Sequence, residues 1–203
     1  MNTTALLESD LEKSPFAQFA HWFEEARQKI RELPEAMTVS TCGADGIVRS
    51  RVCLLKDFDE HGFVFYTNYH SPKGVQITEN PRLSLCFFWP VLDRQVRIEG
   101  AVVKTTEQES DAYFATRPRG SQLGAWASNQ SAVIHGRGDL ELRFAELEAT
   151  YRDRQIPRPP HWGGYRVIPV EFEFWQGRAD RLHDRIVYRL REPKDWIIER
   201  LSP

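Results

Sequence analysis

Apolar residues recur along the chain at two periods, and the switch between them divides it into elements. Phe16, Phe19, Phe23, Ala26 and Ile30 share one face at helical spacing. Ser14 and Pro15 read as an N-cap and a first-turn proline, and Pro34 as the stop. From Met37 the period becomes two. Residues 37–42 and 48–55 predict strands joined across Gly43, Ala44, Asp45 and Gly46, a hairpin signal. Residues 62–67 predict a third strand. Residues 83–89 are nearly all apolar and predict a buried strand, and 95–104 alternate again. Thr106 to Glu109 has the form of a capping box for a helix carrying Ala112, Tyr113 and Phe114. Leu140, Phe144, Leu147 and Tyr151 mark a further amphipathic helix. A proline-rich surface connection at 156–160 precedes three last strands, at 165–175, 183–191 and 196–201. Strands first, then helices between strands, argue an α+β fold, mainly β, around an antiparallel barrel or sheet.

Length and composition narrow this picture. The 203 residues are 41% hydrophobic, which suffices for a sizeable core, and 12 prolines with 12 glycines suit a turn-rich β protein. We expect one domain over residues 14–203 behind a flexible N-terminal segment at 1–13. The net charge of -2 supplies no basic field for nucleic acid or membrane. No apolar run approaches the ~20 residues that span a bilayer. Residues 1–13 lack the basic start and apolar core of a secretory signal, and Cys42, Cys53 and Cys86 read as reduced core thiols. The expectation is a cytoplasmic protein. No cysteine or histidine pair has metal-ligand spacing, so no metal is expected.

The candidate chemistry is anion binding. Arg181, His183 and Arg185 recur every second residue, which on a strand would put all three on one face. Their mutual repulsion calls for an anionic ligand or buried carboxylates; a solvated edge strand would carry the same alternation. Arg51 offers a planar fork suited to phosphate, but Lys56 lies an odd step beyond it and reaches the same ligand only at a bulge or strand end. Lys73, near a helix start, is a weaker candidate. Tyr113, Arg117, Arg119 and Ser121 form a denser set, able to wrap a phosphate monoester or simply to end a helix. Trp126, Gln130 and Ser131 suit a planar heterocycle, whereas Trp89, Trp162 and Trp175 read first as core. Neither a nucleophilic triad nor a glycine-rich phosphate loop is evident, so any chemistry belongs to a bound cofactor.

Several segments in order resemble the pyridoxine (pyridoxamine) 5′-phosphate oxidase family. They are R-V-C-L-L-K at 51–56, F-Y-T-N at 65–68, R-Q-V-R-I-E-G at 94–100 and Y-F-A-T-R-P-R-G-S-Q-L-G-A-W at 113–126. F-W-Q-G at 174–177, R-L-H-D-R at 181–185 and the terminal E-R-L-S-P complete the set. The resemblance implies an FMN-binding split β-barrel with flanking helices, working as a homodimer with two FMN sites at the subunit interface. It implies oxidation of pyridoxamine or pyridoxine 5′-phosphate to pyridoxal 5′-phosphate, with O2 reoxidising the flavin to give H2O2. By position, Arg51, Lys56, Tyr66, Thr67, Lys73, Gln95, Gln130, Ser131, Trp175 and Arg185 match FMN contacts. Lys56, Tyr113, Arg117 and Ser121 match contacts to the substrate phosphate, and Arg181 and His183 match residues covering the substrate ring.

Two departures stand out. Pro72 occupies a position where the family usually has arginine, which removes one expected phosphate contact. Residues 1–14 contain neither the Arg nor the Tyr of the family's N-terminal flap. Two alternatives remain at this level: a related flavin enzyme for another substrate, such as a phenazine precursor, and a non-catalytic binder of flavin or pyridoxal phosphate. The phosphate-binding set argues against the first, and Arg181 with His183 against the second.

Overall fold

The computed structural model describes residues 5–193 and 195–203, so residues 1–4 of the expected N-terminal segment lie outside the described residues. Among the described residues, nine antiparallel strands form one sheet: β1 (Ala36–Cys42), β2 (Val48–Leu54), β3 (Asp57–Asp59), β4 (Gly62–Asn68), β5 (Arg82–Trp89), β6 (Arg94–Lys104), β7 (Trp162–Gln176), β8 (Asp184–Glu192) and β9 (Asp195–Arg200). The order is β2-β1-β5-β6-β7-β4-β3, with β8 and β9 added beside β7. The two ends of that order, β2 and β3, are separated by only Leu55 and Lys56. Leu55 N–H donates to Glu35 O beside β1, and Lys56 N–H donates to Val64 O on β4, both at 2.9 Å. One continuous segment therefore changes partners from the β1 side to β4 and links the two ends of that order.

β7 is the spine. Its first half, Trp162 to Val167, pairs with β4, and its second half, Glu171 to Gln176, pairs with β8. β6 runs along both halves, with a register shift between Glu99 and Gly100 where the sheet divides. The split barrel expected from the resemblance is the architecture present.

Helix α1 (Pro15–Lys29) lays Phe19, Trp22, Phe23 and Ala26 into the barrel core. The sequence placed Phe16 and Ile30 on that face and missed Trp22. Ser14 holds the N-cap position but makes no side-chain cap bond, and the helix ends at Lys29, ahead of Pro34. Phe19 packs edge-on against Phe63 and Phe87, with centroids 4.8 and 5.1 Å away.

A second, smaller core of Phe114, Leu123, Ile156 and Trp162 sits beneath α3 (Glu107–Thr116), α4 (Arg119–Ala127) and α5 (Arg137–Thr150). The Thr106 capping box forms as its sequence predicts. Arg119 caps the other end of this layer, donating to the carbonyls of Tyr151, Arg152 and Arg154 after α5.

Residues 5–13, expected as a flexible segment, carry specific contacts. Leu6 N–H donates to Asp184 Oδ2 at 3.1 Å, and Arg200 pairs with Glu8 and Asp184. No helix among the described residues is long and apolar enough to cross a membrane.

Candidate active site

Two groups of polar side chains gather at opposite ends of β7. The first is centred on Lys73, the second residue of α2 (Pro72–Glu79). Ser71 caps that helix, accepting from Gly74 N–H, and Pro72 fills the first position, where a missing N–H removes no helix bond. Lys73 is only 6% exposed. It donates to Ser71 Oγ at 3.0 Å and to Gln130 Oε1 at 3.5 Å, and no carboxylate pairs with it among the described residues. Gln130 Oε1 also accepts from Thr67 Oγ1 at 3.4 Å. Arg51 stands nearby on β2, donating to Val39 O and Thr41 Oγ1, again neutral partners. Burial, reinforced by the Arg51 charge, pushes the Lys73 ammonium below its ordinary value. Its partners are neutral oxygens, so its buried charge is left uncompensated by any carboxylate among the described residues. Ser131, beside Gln130, adopts a left-handed backbone at φ 69°.

A cleft of 360 Å³ continues from this point. Tyr66, Thr67, Asn68, Arg117, Ser121 and Gln130 are among its lining residues. Tyr66 pairs with Gly164 on β7, and a Cβ at Gly164 would come within 2.8 Å of the Tyr66 ring. The glycine thus lets the ring lie close to the strand. Tyr66 stacks on Tyr113 at 3.9 Å and on Trp162 at 5.4 Å. Burial, then the Glu109 charge, pushes the Tyr66 phenol up to about 12, so it stays protonated. Arg117 lies over Trp162, 4.6 Å from the ring centroid, and its Nη1 is buried without a hydrogen-bond partner. Ser121 is in the first turn of α4, with its N–H bonded to Pro118 O. Together the unpaired Lys73 charge and the orphaned Arg117 nitrogen fit a cofactor and a substrate that each carry a phosphate.

The second group surrounds Glu173, only 5% exposed. It accepts from Arg97 at 3.0 Å and from Arg185 at 2.9 Å. Arg185 also donates to Ser202 O, so the C-terminal residues help hold it. Gln95 pairs with Trp175 across β6 and β7, and Trp175 pairs with Arg185 on β8. His183 lies 4.7 Å from Trp175, and its Nδ1 accepts Arg178 N–H at 3.1 Å. That bond assigns the proton of the neutral ring to Nε2.

The structure corrects three expectations. Arg181, His183 and Arg185 do not share a strand face: β8 begins at Asp184, and Ala179–Arg181 form a 3-10 turn. Asp180 and Arg181 take φ values of 55° and 61°, a left-handed pair that breaks the alternation. The repulsion that the row implied is relieved by that turn and by Glu173. Lys56 lies past the end of β2 and lines a separate 310 Å³ cleft with Phe23, Arg27 and Glu35, so this chain does not gather it with Tyr113, Arg117 and Ser121. Trp126 spends its indole N–H on Pro157 O, a structural bond.

Comparison with known proteins decides the family. A family model described as pyridoxamine 5′-phosphate oxidase matches residues 23–151, and one described as the pyridoxine 5′-phosphate oxidase C-terminal dimerisation region matches residues 162–203. The chain belongs to the pyridoxine/pyridoxamine 5′-phosphate oxidase family. The enzyme of that name from Gloeothece citriformis is 54% identical over 98% of this chain and 94% of its own. The one from Acaryochloris marina is 55% identical over 98% and 90%. Among solved structures, PhzG from Burkholderia lata, in complex with tetrahydrophenazine-1-carboxylic acid, has a TM-score of 0.91 at 32% identity, covering 99% of both chains. A related FMN-binding protein from Nostoc punctiforme shares the fold, with a TM-score of 0.74 at 18% identity over 94% of this chain and 98% of its own.

Within this oxidase family fold, sequence reasoning missed Trp162 as a site wall and Glu173 as the anchor of Arg97 and Arg185. The signal for Trp162 was the Gly163-Gly164 pair after it, which admits an aromatic stack. Glu173 alternates with Phe172 and Phe174 and so reads as solvent-facing until the strand register puts arginines beside it.

Proposed function

We propose that the protein is an FMN-dependent oxidase converting pyridoxamine or pyridoxine 5′-phosphate to pyridoxal 5′-phosphate. The observation that carries this reading is the pairing of two unmet cations around one cleft: Lys73 without a carboxylate, and Arg117 with a buried nitrogen lacking a partner. Two phosphates, one from the cofactor and one from the substrate, meet those needs. Lys73 and Arg51 hold the cofactor phosphate, with Thr67, Gln130, Ser131 and Tyr66 beside it. Arg117, Ser121 and Tyr113 take the substrate phosphate. When bound, FMN supplies the two-electron acceptor, and O2 regenerates it with release of H2O2.

Gln95, Trp175, Arg181, His183 and Arg185 belong to the other end of β7. Eleven steps along β7 separate Gly164, opposite Tyr66, from Trp175, roughly 36 Å of strand. One nucleotide-sized cofactor does not bridge that distance, so these residues act from a second copy of the chain. A homodimer then completes each site, in keeping with the dimerisation region to which residues 162–203 are similar. Light scattering of the flavin-loaded protein at micromolar concentration should give a dimer; a monomer with FMN bound would refute this arrangement.

The remote phosphate grip orients the substrate, so its binding energy is used to position the reacting carbon. Arg181 and His183 stabilise the charge that develops on the ring, His183 through the Nε2 proton that its Nδ1 bond assigns. FMN, not FAD, should be recovered when the protein is denatured and its flavin chromatographed, because an adenylate extension would put bulk against the Lys73 and Arg51 cations. Mostly FAD in that eluate sinks the cofactor assignment. The decisive assay is aerobic incubation of the loaded protein with pyridoxamine and pyridoxine phosphate, following aldehyde and peroxide. Turnover of a phenazine precursor without turnover of either phosphate ester would replace this reading with the alternative.

A further inference from the structure

Arg49 is a cation beside the cofactor end of this site to which the reading above gives no role. It precedes Arg51 by two residues on β2, so both leave the same strand face. Arg49 lies opposite Thr41, and Arg51, opposite Val39, donates to the Thr41 hydroxyl at 2.7 Å, so both arginines flank Thr41. Arg49 turns toward the hairpin, with Nη2 2.9 Å from Asp45 Oδ2 and Nη1 donating to Ile47 O. It lines a 580 Å³ cleft with Pro72, His70, Gln130 and Ser131. Gln130 also lines the Arg117 cleft and accepts from Lys73 and Thr67, and Asn68 lines both clefts as well, so the two clefts adjoin.

The charge balance across that junction is uneven. Burial chiefly, with Arg49 adding to it, lowers Arg51, and burial chiefly, with Arg51 adding to it, lowers Lys73. Arg51 is thus coupled to Arg49 on one side and to Lys73 on the other. The carboxylates lining the Arg49 cleft are Asp45 and Glu79, and Glu79 accepts Ala44 N–H at 2.9 Å. Asp45 and Arg49 remain 45% and 43% exposed, and an exposed pair of that kind is weak. A doubly charged phosphate is a stronger partner for a guanidinium than one solvated carboxylate.

We propose that Arg49 is a third cationic arm for the cofactor phosphate, released from Asp45 when that phosphate settles against Lys73 and Arg51. The proposal rests on the FMN reading. Asp45 is then a competitor for Arg49, and its removal strengthens cofactor binding.

The test is fluorescence titration of flavin-free protein with FMN and with riboflavin, which lacks the phosphate, at low and raised salt. Arg49→Gln should weaken FMN about three- to tenfold, leave riboflavin unchanged and flatten the salt dependence. Arg49→Lys should recover part of the loss, and Asp45→Asn should tighten FMN. Circular dichroism melts of each variant verify the fold. Equal FMN affinity in Arg49→Gln overturns the proposal, as does an equal loss for riboflavin, which would mean that Arg49 acts by holding the hairpin. An Asp45→Asn variant weakened like Arg49→Gln overturns it too. Wild-type protein that binds riboflavin and FMN equally, or neither, removes the FMN reading itself.

Discussion

Lys73→Met should strip the protein of its flavin while making the flavin-free chain more stable. The two effects have one cause. Lys73 is buried with neutral partners, so its charge is desolvated without a compensating anion until a phosphate arrives. Methionine keeps most of the stem and removes the charge. Affinity for FMN should fall by about ten- to a hundredfold, corresponding to a lost charge-assisted bond of roughly 1.5–3 kcal/mol. The flavin-free variant should gain about 1–2 kcal/mol in urea titration. The pH dependence has a definite sign. Burial lowers the folded-state pKa of Lys73, so the unfolded chain holds the proton more tightly. Stability of the flavin-free wild type should therefore rise with pH between that lowered value and the ordinary lysine value, and this component should vanish in Lys73→Met. FMN binding should run the other way and weaken as Lys73 deprotonates. A variant that keeps its flavin, or is less stable without it, would show that Lys73 is a structural residue.

Arg117→Ala and Arg181→Ala should fail in different kinetic constants. Arg117 is assigned to the substrate phosphate, which is bound alike in ground and transition states. Its loss should raise KM by about ten- to a hundredfold with kcat nearly kept. Arg181 is assigned to the substrate ring, where charge changes during the reaction, so its loss should lower kcat. The left-handed backbone at Arg181 is as costly for alanine as for arginine, so that substitution adds no new strain. Both variants should retain FMN. Steady-state kinetics on pyridoxamine phosphate, normalised to bound flavin, separates the cases. Wild-type kcat in Arg181→Ala would remove Arg181 from the chemistry, and flavin loss in both would reduce them to structural roles.

Much of the fold was legible because local physics dictated it. The period-two runs became strands within a few residues of their expected bounds. The Gly43 to Gly46 turn closed with Gly46 at φ 71°, and the Thr106 capping box formed. Where the sequence misled, a non-local effect intervened. β7 starts at Trp162, three residues early, because pairing with β4 holds the Gly163-Gly164 stretch that alone would read as a turn. Cys42, Cys53 and Cys86 are free thiols, but half-buried ones, and of these Cys53 packs against the main core.

The sequence by itself determined the family and nominated the side chains proposed for the chemistry, because residue type and spacing along the chain suffice for that. Tertiary structure decided which of them meet. Strand register brought Glu173 between Arg97 and Arg185, a contact invisible at a separation of 76 residues from Arg97. Two consecutive left-handed residues at Asp180 and Arg181 turned an apparent strand row into a corner. The length of β7 set Lys73 and Arg117 at one end and Trp175 and His183 at the other. Spacing fixes how side chains alternate on one element; only closure of the barrel fixes how far apart the elements hold them.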